Sequence, residues 1–323
     1  MLWKVEDVSG REFNDSLRRA LIAACDGAIS FDVPSSRCVT LRAGGSLASL
    51  AEPRSVESLR QLWSLCHREN IPTLVIGKGS NLLVSDDGFH GVVFRLGQCL
   101  GKIAVEGQCI QADAGAPLPA LSQVALKAEL SGSEWCVGIP GTVGGAIFMN
   151  AGCHQQETKD FVVHVESLSA EGEVIRRSAD EVAFDVRTSC FQKLDELVLG
   201  ARFKFVSGTA GAIREKMDSN LLYRKQTQPL SDPNCGSVFM NPVGHSAWKL
   251  IDECGLRGLR RGNAAVSEKH SNFIVNLGDA TAGDVLSLIR AVQARVHDHS
   301  GVSLHPELRV IGAAANEDSP ATL

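Results

Sequence analysis

The chain has 323 residues, 44% hydrophobic and 21% charged, with a formal net charge of -5; this is ordinary for a globular enzyme of two or three structural units. The acidic balance and the scatter of the basic residues argue against nucleic acid as a partner, and no apolar run approaches the ~18 residues that would insert into a membrane. MLWKVEDVSGREF does not read as a secretory signal, and ten cysteines spread from Cys25 to Cys254 without a CxxC pair read as free thiols of a cytoplasmic protein, not as disulfides or a metal site.

Residues 1–37 are expected to form a partly helical N-terminal extension, with Leu17, Leu21 and Ala24 at helical spacing. Ser55 is placed to cap a helix whose apolar stripe is Val56, Leu59, Trp63 and Cys66. The apolar run 71–76 predicts a buried strand that ends in the glycine loop GKGSN, and 91–96 a second strand after a turn-rich segment. Residues 38–100 thus make one unit of helix, strand, glycine loop and strand.

A second unit covers 101–208. Pro117 suits the first turn of a helix carrying Leu118, Leu121 and Ala125, and the loop GIPGTVGGA follows. Strands at 162–169 and 173–177 read as a hairpin, Ser178 and Glu181 as a capping box, and the alternation around Ala201, Phe203 and Phe205 as a half-buried strand. In the third unit, 209–323, Ile213, Met217 and Leu221 mark a helix face. A short helix after Ser246 stops at Gly255, and 273–276 is strand-like. Thr281 and Asp284 open a long helix with Val285, Ile289, Val292 and Val296 on one face, and the tail after Ile311 is expected to fray. The whole reads as α+β. It has neither GxGxxG nor GxxxxGK[ST], so a nucleotide would be held in some other way.

In GKGSN, Gly77 and Gly79 let the backbone turn sharply and offer N–H groups to an anion, with Ser80 and Asn81 as side-chain donors; both this loop and GIPGTVGGA could equally be plain tight turns. Four glycines in nine residues, stiffened by Pro140, would let main chain approach a large flat ligand. Ser237, in CGSVFMNP, could donate a proton if its surroundings stabilise the alkoxide, or be a turn serine. Arg187 lies between apolar-looking neighbours and needs a partner, either a structural carboxylate or a bidentate ligand. Glu307 precedes a C-terminal strand and is by default solvated. His270 is an acid–base candidate or a hydrogen-bonded half-buried histidine. Nothing marks Cys235 as an activated thiolate. Arg224, Lys225, Arg260, Arg261 and Lys269 are surface cations or diphosphate contacts.

Taken in order, GKGSNLLVSDDGFHG, GIPGTVGGAIFMNAG, CGSVFMNP, KHSNFIVN and LHPEL resemble the UDP-N-acetylenolpyruvoylglucosamine reductases, also called UDP-N-acetylmuramate dehydrogenases, from about residue 42 to 312. The resemblance implies an α+β fold with a two-part FAD-binding region of the vanillyl-alcohol-oxidase (PCMH) type, 38–100 and 101–208, and a C-terminal α+β substrate domain, 209–323. It implies bound FAD, with Gly77, Lys78, Gly79, Ser80 and Asn81 on the pyrophosphate. Gly138, Ile139, Pro140, Gly141, Thr142, Gly144, Gly145, Ala146 and Asn150 would line the flavin. NADPH would be the co-substrate and UDP-N-acetylglucosamine enolpyruvate the substrate of a monomeric enzyme without a metal. By the same likeness Arg187, Ser237 and Glu307 form the catalytic set, and Asn241, Arg224 and Lys269 touch the substrate. Val186 stands where the family has a tyrosine and Met240 where it has a lysine, and the short stretch between Arg187 and Thr209 lacks a long substrate-covering insertion. Two alternatives stay open: a related FAD oxidase, and a catalytically silent UDP-sugar-binding protein.

Overall fold

Apolar residues three and four apart build helices here and alternating ones build strands; a computed structural model describes the result for residues 13–312. The chain divides into two units, each assembled from separate stretches. The first takes in residues up to Phe31, Ser49–Gly77 and Gly91–Arg224; the second takes in Asp32–Ala48, Lys78–His90 and residues from Lys225 on.

The first unit contains the helix Val56–Arg68, capped by Ser55, whose side chain accepts from the Ser58 amide; Leu59, Leu62, Trp63 and Cys66 are its buried face. Thr73–Ile76 runs parallel to Phe89–Arg95 at the edge of a sheet ordered Ala28–Pro34, Ser46–Glu52, Phe89–Arg95, Thr73–Ile76. The run 71–76 was expected to be buried, but only Ile71 and Ile76 at its two ends are: Val75 is 37% exposed, because an edge strand is covered on fewer sides. Within the stretch expected to be an extension, the helix Asp15–Ala24 buries Leu21, and Ala28–Pro34 is the opposite edge strand. Residues 1–12 and the tail after 312 lie outside the described residues.

A five-stranded antiparallel sheet follows, ordered Val174–Ser178, Val162–Leu168, Leu197–Lys204, Cys109–Asp113, Ile103–Glu106. Ala201, Phe203 and Phe205 are buried and alternate with the more exposed Arg202 and Lys204, as expected, whereas the start of the strand Leu197–Lys204 is buried at every position, because it is the central strand and the helix Val143–Met149 packs against it. That helix starts inside GIPGTVGGA, so the second half of the expected loop is a first helical turn. One continuous core joins Trp63, Phe94, Ile110, Leu121, Ile147 and Phe191. On the helix Ala210–Thr227, Ile213 and Met217 are buried against Leu126 and Val137, whereas Leu221 is 41% exposed, past the end of that contact.

The second unit has a sheet ordered Asn234–Ser237, Phe273–Asn276, Ala264–Val266, Arg260–Arg261. The helix Ala282–Ser300 lies on it, opened by a Thr281–Asp284 capping box and closed by Gly301 in the left-handed conformation. Asp86 adds its carboxylate to the same N-terminus, accepting from the Ala282 and Gly283 amides at 2.8 Å each. Arg309–Ile311 pairs in parallel with Leu82–Val84. Leu41, Ala43 and Leu83 complete a core otherwise built from the C-terminal part of the chain, including Val238, Phe239, Ile251 and Val292. The Asn276 side chain ties that early segment in by donating to the carbonyls of Leu41 and Arg42.

Candidate functional site

GKGSN leaves its strand with Gly79 at φ +63°, and a Cβ there would sit 2.3 Å from the Cys38 carbonyl oxygen. Gly79 is buried, and its own carbonyl accepts from Thr40. Among the described residues, none of the amides from 77 to 81 donates to a protein acceptor. Such a row of unspent N–H groups around a left-handed residue is the donor set of an anion nest. Lys78 is exposed beside it. The Asn81 side-chain amide is spent within the protein, donating to the Glu307 carbonyl at 3.1 Å.

A Cβ on Gly77 would lie 2.4 Å from Oγ1 of Thr142, so the two glycine segments meet there. Thr142 caps the helix Val143–Met149, accepting from the Gly145 amide at 3.4 Å. The Val143 and Gly144 amides donate to the carbonyls of Ala116 and Ala114, fixing that end, while Pro140 and Gly145 stay exposed and Ile139, Gly141 and Gly144 are half-buried. Ala146 is buried in the core. Gly138 is covered by the Arg224 side chain, whose Cδ would be 3.2 Å from an added Cβ. Burial holds the Arg224 guanidinium below its usual pKa. Asn150, fully buried and left-handed, closes the helix.

Asn150 also links this helix to Arg187. Its Nδ2 donates to the Asp185 carbonyl at 3.0 Å and to Oε2 of Glu157 at 3.1 Å, while its Oδ1 accepts from the Lys159 amide. Arg187 is half-buried with Nη1 3.8 Å from Oε1 of Glu157 and Nη2 3.5 Å from the Gly152 carbonyl. Its neighbour Val186 is 62% exposed, so the expected apolar flank is not buried on that side; the turn between Asp185 and Thr188 lifts it out. Burial raises the Cys153 thiol to about 11, partly offset by Arg224 and Arg187.

In the second unit, Ser237 ends its strand opposite Phe273 and is half-buried. The segment bearing Glu307 runs alongside: the Met240 amide donates to His305, the Glu307 amide to Val238 at 2.7 Å, and Phe239 and Pro306 form an isolated antiparallel bridge. Two of the three expected catalytic residues, Ser237 and Glu307, therefore lie on segments joined through the backbone. Asn241 is exposed, and its side chain accepts from the Ala247 amide, capping the helix Ala247–Glu253. Lys269 is exposed and donates to the Lys225 carbonyl. His270 accepts from the Asn272 amide through Nδ1, and burial lowers its pKa. Burial pushes Cys235 up to about 12, so it is no thiolate. Glu157 went unnoticed in the sequence because no motif or spacing separates it from an ordinary surface glutamate.

Residues 47–178 match the family described as FAD binding domain, and 228–311 the family described as UDP-N-acetylenolpyruvoylglucosamine reductase, C-terminal domain. The reductase of that name from Latilactobacillus sakei is 43% identical over 279 residues, covering 86% of this chain and 92% of its own. One from Streptococcus pneumoniae (strain JJA) is 40% identical over 298 residues, covering 92% and 99%. The crystal structure of the Thermus caldophilus UDP-N-acetylenolpyruvylglucosamine reductase superposes with a TM-score of 0.72 at 36% identity, covering 88% of this chain and 98% of that one. With relatives of about 40% identity matched over nearly their whole length, the chain belongs to the UDP-N-acetylenolpyruvoylglucosamine reductase family.

Proposed function

We propose that this protein reduces the enolpyruvyl group of UDP-N-acetylglucosamine enolpyruvate to the lactyl group of UDP-N-acetylmuramate, with NADPH as reductant and FAD as bound cofactor, in the cytoplasm and as a monomer. Family membership supports the reaction, and the residues present fit the cofactor. The unspent amides of 77–81 match a pyrophosphate. The bare Gly145 surface at a helical first turn leaves room for a flat ring system. On this reading 38–100 and 101–208 are the two FAD-binding halves and 209–323 the sugar-nucleotide domain. FAD, when bound, supplies the relay by which hydride passes from NADPH to the terminal enolpyruvyl carbon.

The protein's own groups then manage charge and proton. Negative charge builds on the carbon next to the substrate carboxylate. Arg187 takes that carboxylate in its planar fork, Glu307 stabilises the developing charge by hydrogen bonding, and the Ser237 hydroxyl delivers the proton that completes the lactyl group. Hydride and proton together account for the two hydrogens gained, and NADP⁺ leaves. Arg224, Asn241 and Lys269 contact the UDP-sugar. The carrying observation is the 2.7 Å bond from the Glu307 amide to Val238, which keeps the segments of Ser237 and Glu307 side by side.

The test is spectroscopic. Purified protein shows the visible band of oxidised flavin, NADPH bleaches it, and the enolpyruvyl sugar restores it under anaerobic conditions. A colourless protein, or recovery of the band only with oxygen, would overturn the reading.

A further inference from the structure

We infer that Glu157 is a positioning residue for Arg187, holding the guanidinium ready for the substrate carboxylate and anchoring it to the same point that fixes Asn150. The inference rests on the carboxylate-binding role given to Arg187 above. The two oxygens of the Glu157 carboxylate divide the labour. Oε2 of Glu157 accepts from the Asn150 amide at 3.1 Å and meets the Lys159 ammonium at 2.9 Å. Its backbone amide donates to Asp160 in a capping box, and the residue pairs with Gly152 in a short antiparallel ladder. The carboxylate is thereby fixed before it meets Arg187.

Oε1 faces Nη1 of Arg187 at 3.8 Å. That is an ion pair without the close contact of a charge-assisted hydrogen bond, which needs ~2.7–2.9 Å. It steers the guanidinium without a close hydrogen bond from Glu157 to the fork. Lys159 offsets the charge of Glu157, which limits its repulsion of an incoming anion.

The backbone explains why steering is needed. Arg187 is at φ +54°, and Asn150, His154 and Gln155, at +41°, +53° and +63°, are also left-handed. An L-residue holds that conformation only where its surroundings over-determine it. Glu157 reaches both loops: it accepts from Asn150, whose Nδ2 also donates to the Asp185 carbonyl two residues before Arg187, and its Oε1 faces Arg187 itself. A glutamate serving only to stabilise the fold could have ended its contacts at Asn150 and Lys159.

The test compares two ligands on the flavin-loaded protein by titration calorimetry: UDP-N-acetylmuramate, which carries the carboxylate, and UDP-N-acetylglucosamine, which does not. Glu157→Gln keeps the length and the acceptor for Asn150 but removes the charge. It is expected to weaken UDP-N-acetylmuramate about tenfold while UDP-N-acetylglucosamine changes less than about twofold, and to add nothing in an Arg187→Ala background. Glu157→Asp, with the charge kept but withdrawn, shows the same preference loss to a smaller degree and serves if the glutamine variant does not fold. If Arg187→Ala abolishes the preference but both Glu157 variants keep or strengthen it, the positioning role is wrong and the role of Arg187 stands. Equal losses for both ligands also overturn it, as a structural effect. If Arg187→Ala itself keeps the preference, the role of Arg187 falls and the inference with it.

Discussion

The Glu307 backbone amide donates to the Val238 carbonyl at 2.7 Å, immediately beyond Ser237. Because this bond is made by main chain, replacing the Ser237 side chain does not break it. Ser237→Ala is expected to keep bound flavin and a normal rate of bleaching by NADPH, while reoxidation by the enolpyruvyl sugar slows ~10²–10⁴-fold. Stopped-flow absorbance separates the two steps; an undiminished second step removes Ser237 from proton delivery.

The glycine segments predict a contrast between two alanine substitutions. At Gly79, the left-handed φ and the Cys38 carbonyl both oppose a Cβ, so Gly79→Ala should cost about 1–3 kcal/mol of stability as well as flavin. At Gly145 an added Cβ meets only Thr142 Oγ1 at 3.6 Å, and alanine favours a helical turn. Gly145→Ala should therefore melt no lower than the parent without ligand, yet retain less flavin after gel filtration. Full flavin retention would mean that the ring system lies elsewhere.

Arg177 and Glu196 form a two-pronged pair, Nη1 to Oε2 at 2.5 Å and Nη2 to Oε1 at 2.6 Å, with Ser167 donating to Oε2. The glutamate side chain is 9% exposed and the arginine 18%. Glu196→Ala strands a buried guanidinium and should lower stability by about 3–5 kcal/mol in urea denaturation. The double replacement Arg177→Met with Glu196→Leu should cost clearly less, since no charge is then left unpaired.

His67 supplies a pH dependence. Burial opposes its protonation, but the hydrogen bonds to Asp195 and to the Trp63 carbonyl, with the charge of Glu171 nearby, outweigh that and raise its pKa above 6.5. A raised histidine value stabilises the folded state fully below the unfolded pKa and loses its effect as pH climbs through the folded one. The stability gap between the parent and Asp195→Asn should thus be widest near about pH 5.5 and narrow toward about pH 8.5. The gap stays within about 1 kcal/mol because Asp195 is largely exposed. A gap that widens with pH contradicts the assignment.

What could be read from the sequence was local. Ser55, the Ser178–Glu181 box and the Thr281–Asp284 box depend on groups within three residues of one another, and each caps the helix expected of it. Burial was less legible: the run ending at Ile76 is apolar enough for a core strand, but its place at a sheet edge is decided by pairing with a strand some twenty residues on. The same limit hid Glu157. Its contacts run to Asn150 and Arg187, seven residues before it and thirty after, through a turn whose left-handed residues follow no sequence rule. Thr142 was visible only as part of a glycine-rich loop, and its capping role appears once the helix is seen to begin there.

The chain passes from one unit to the other five times, after residues 31, 48, 77, 90 and 224. Leu41, Ala43 and Leu83 belong to the core that the C-terminal residues build, and Asn276 is bonded to Leu41 and Arg42. Neither half can therefore be excised by a single cut. A gene fragment starting near residue 225 would be translated without part of its own interior, and is expected to emerge as an aggregating or protease-sensitive polypeptide. Complementation by separately expressed halves would have to respect this interleaving.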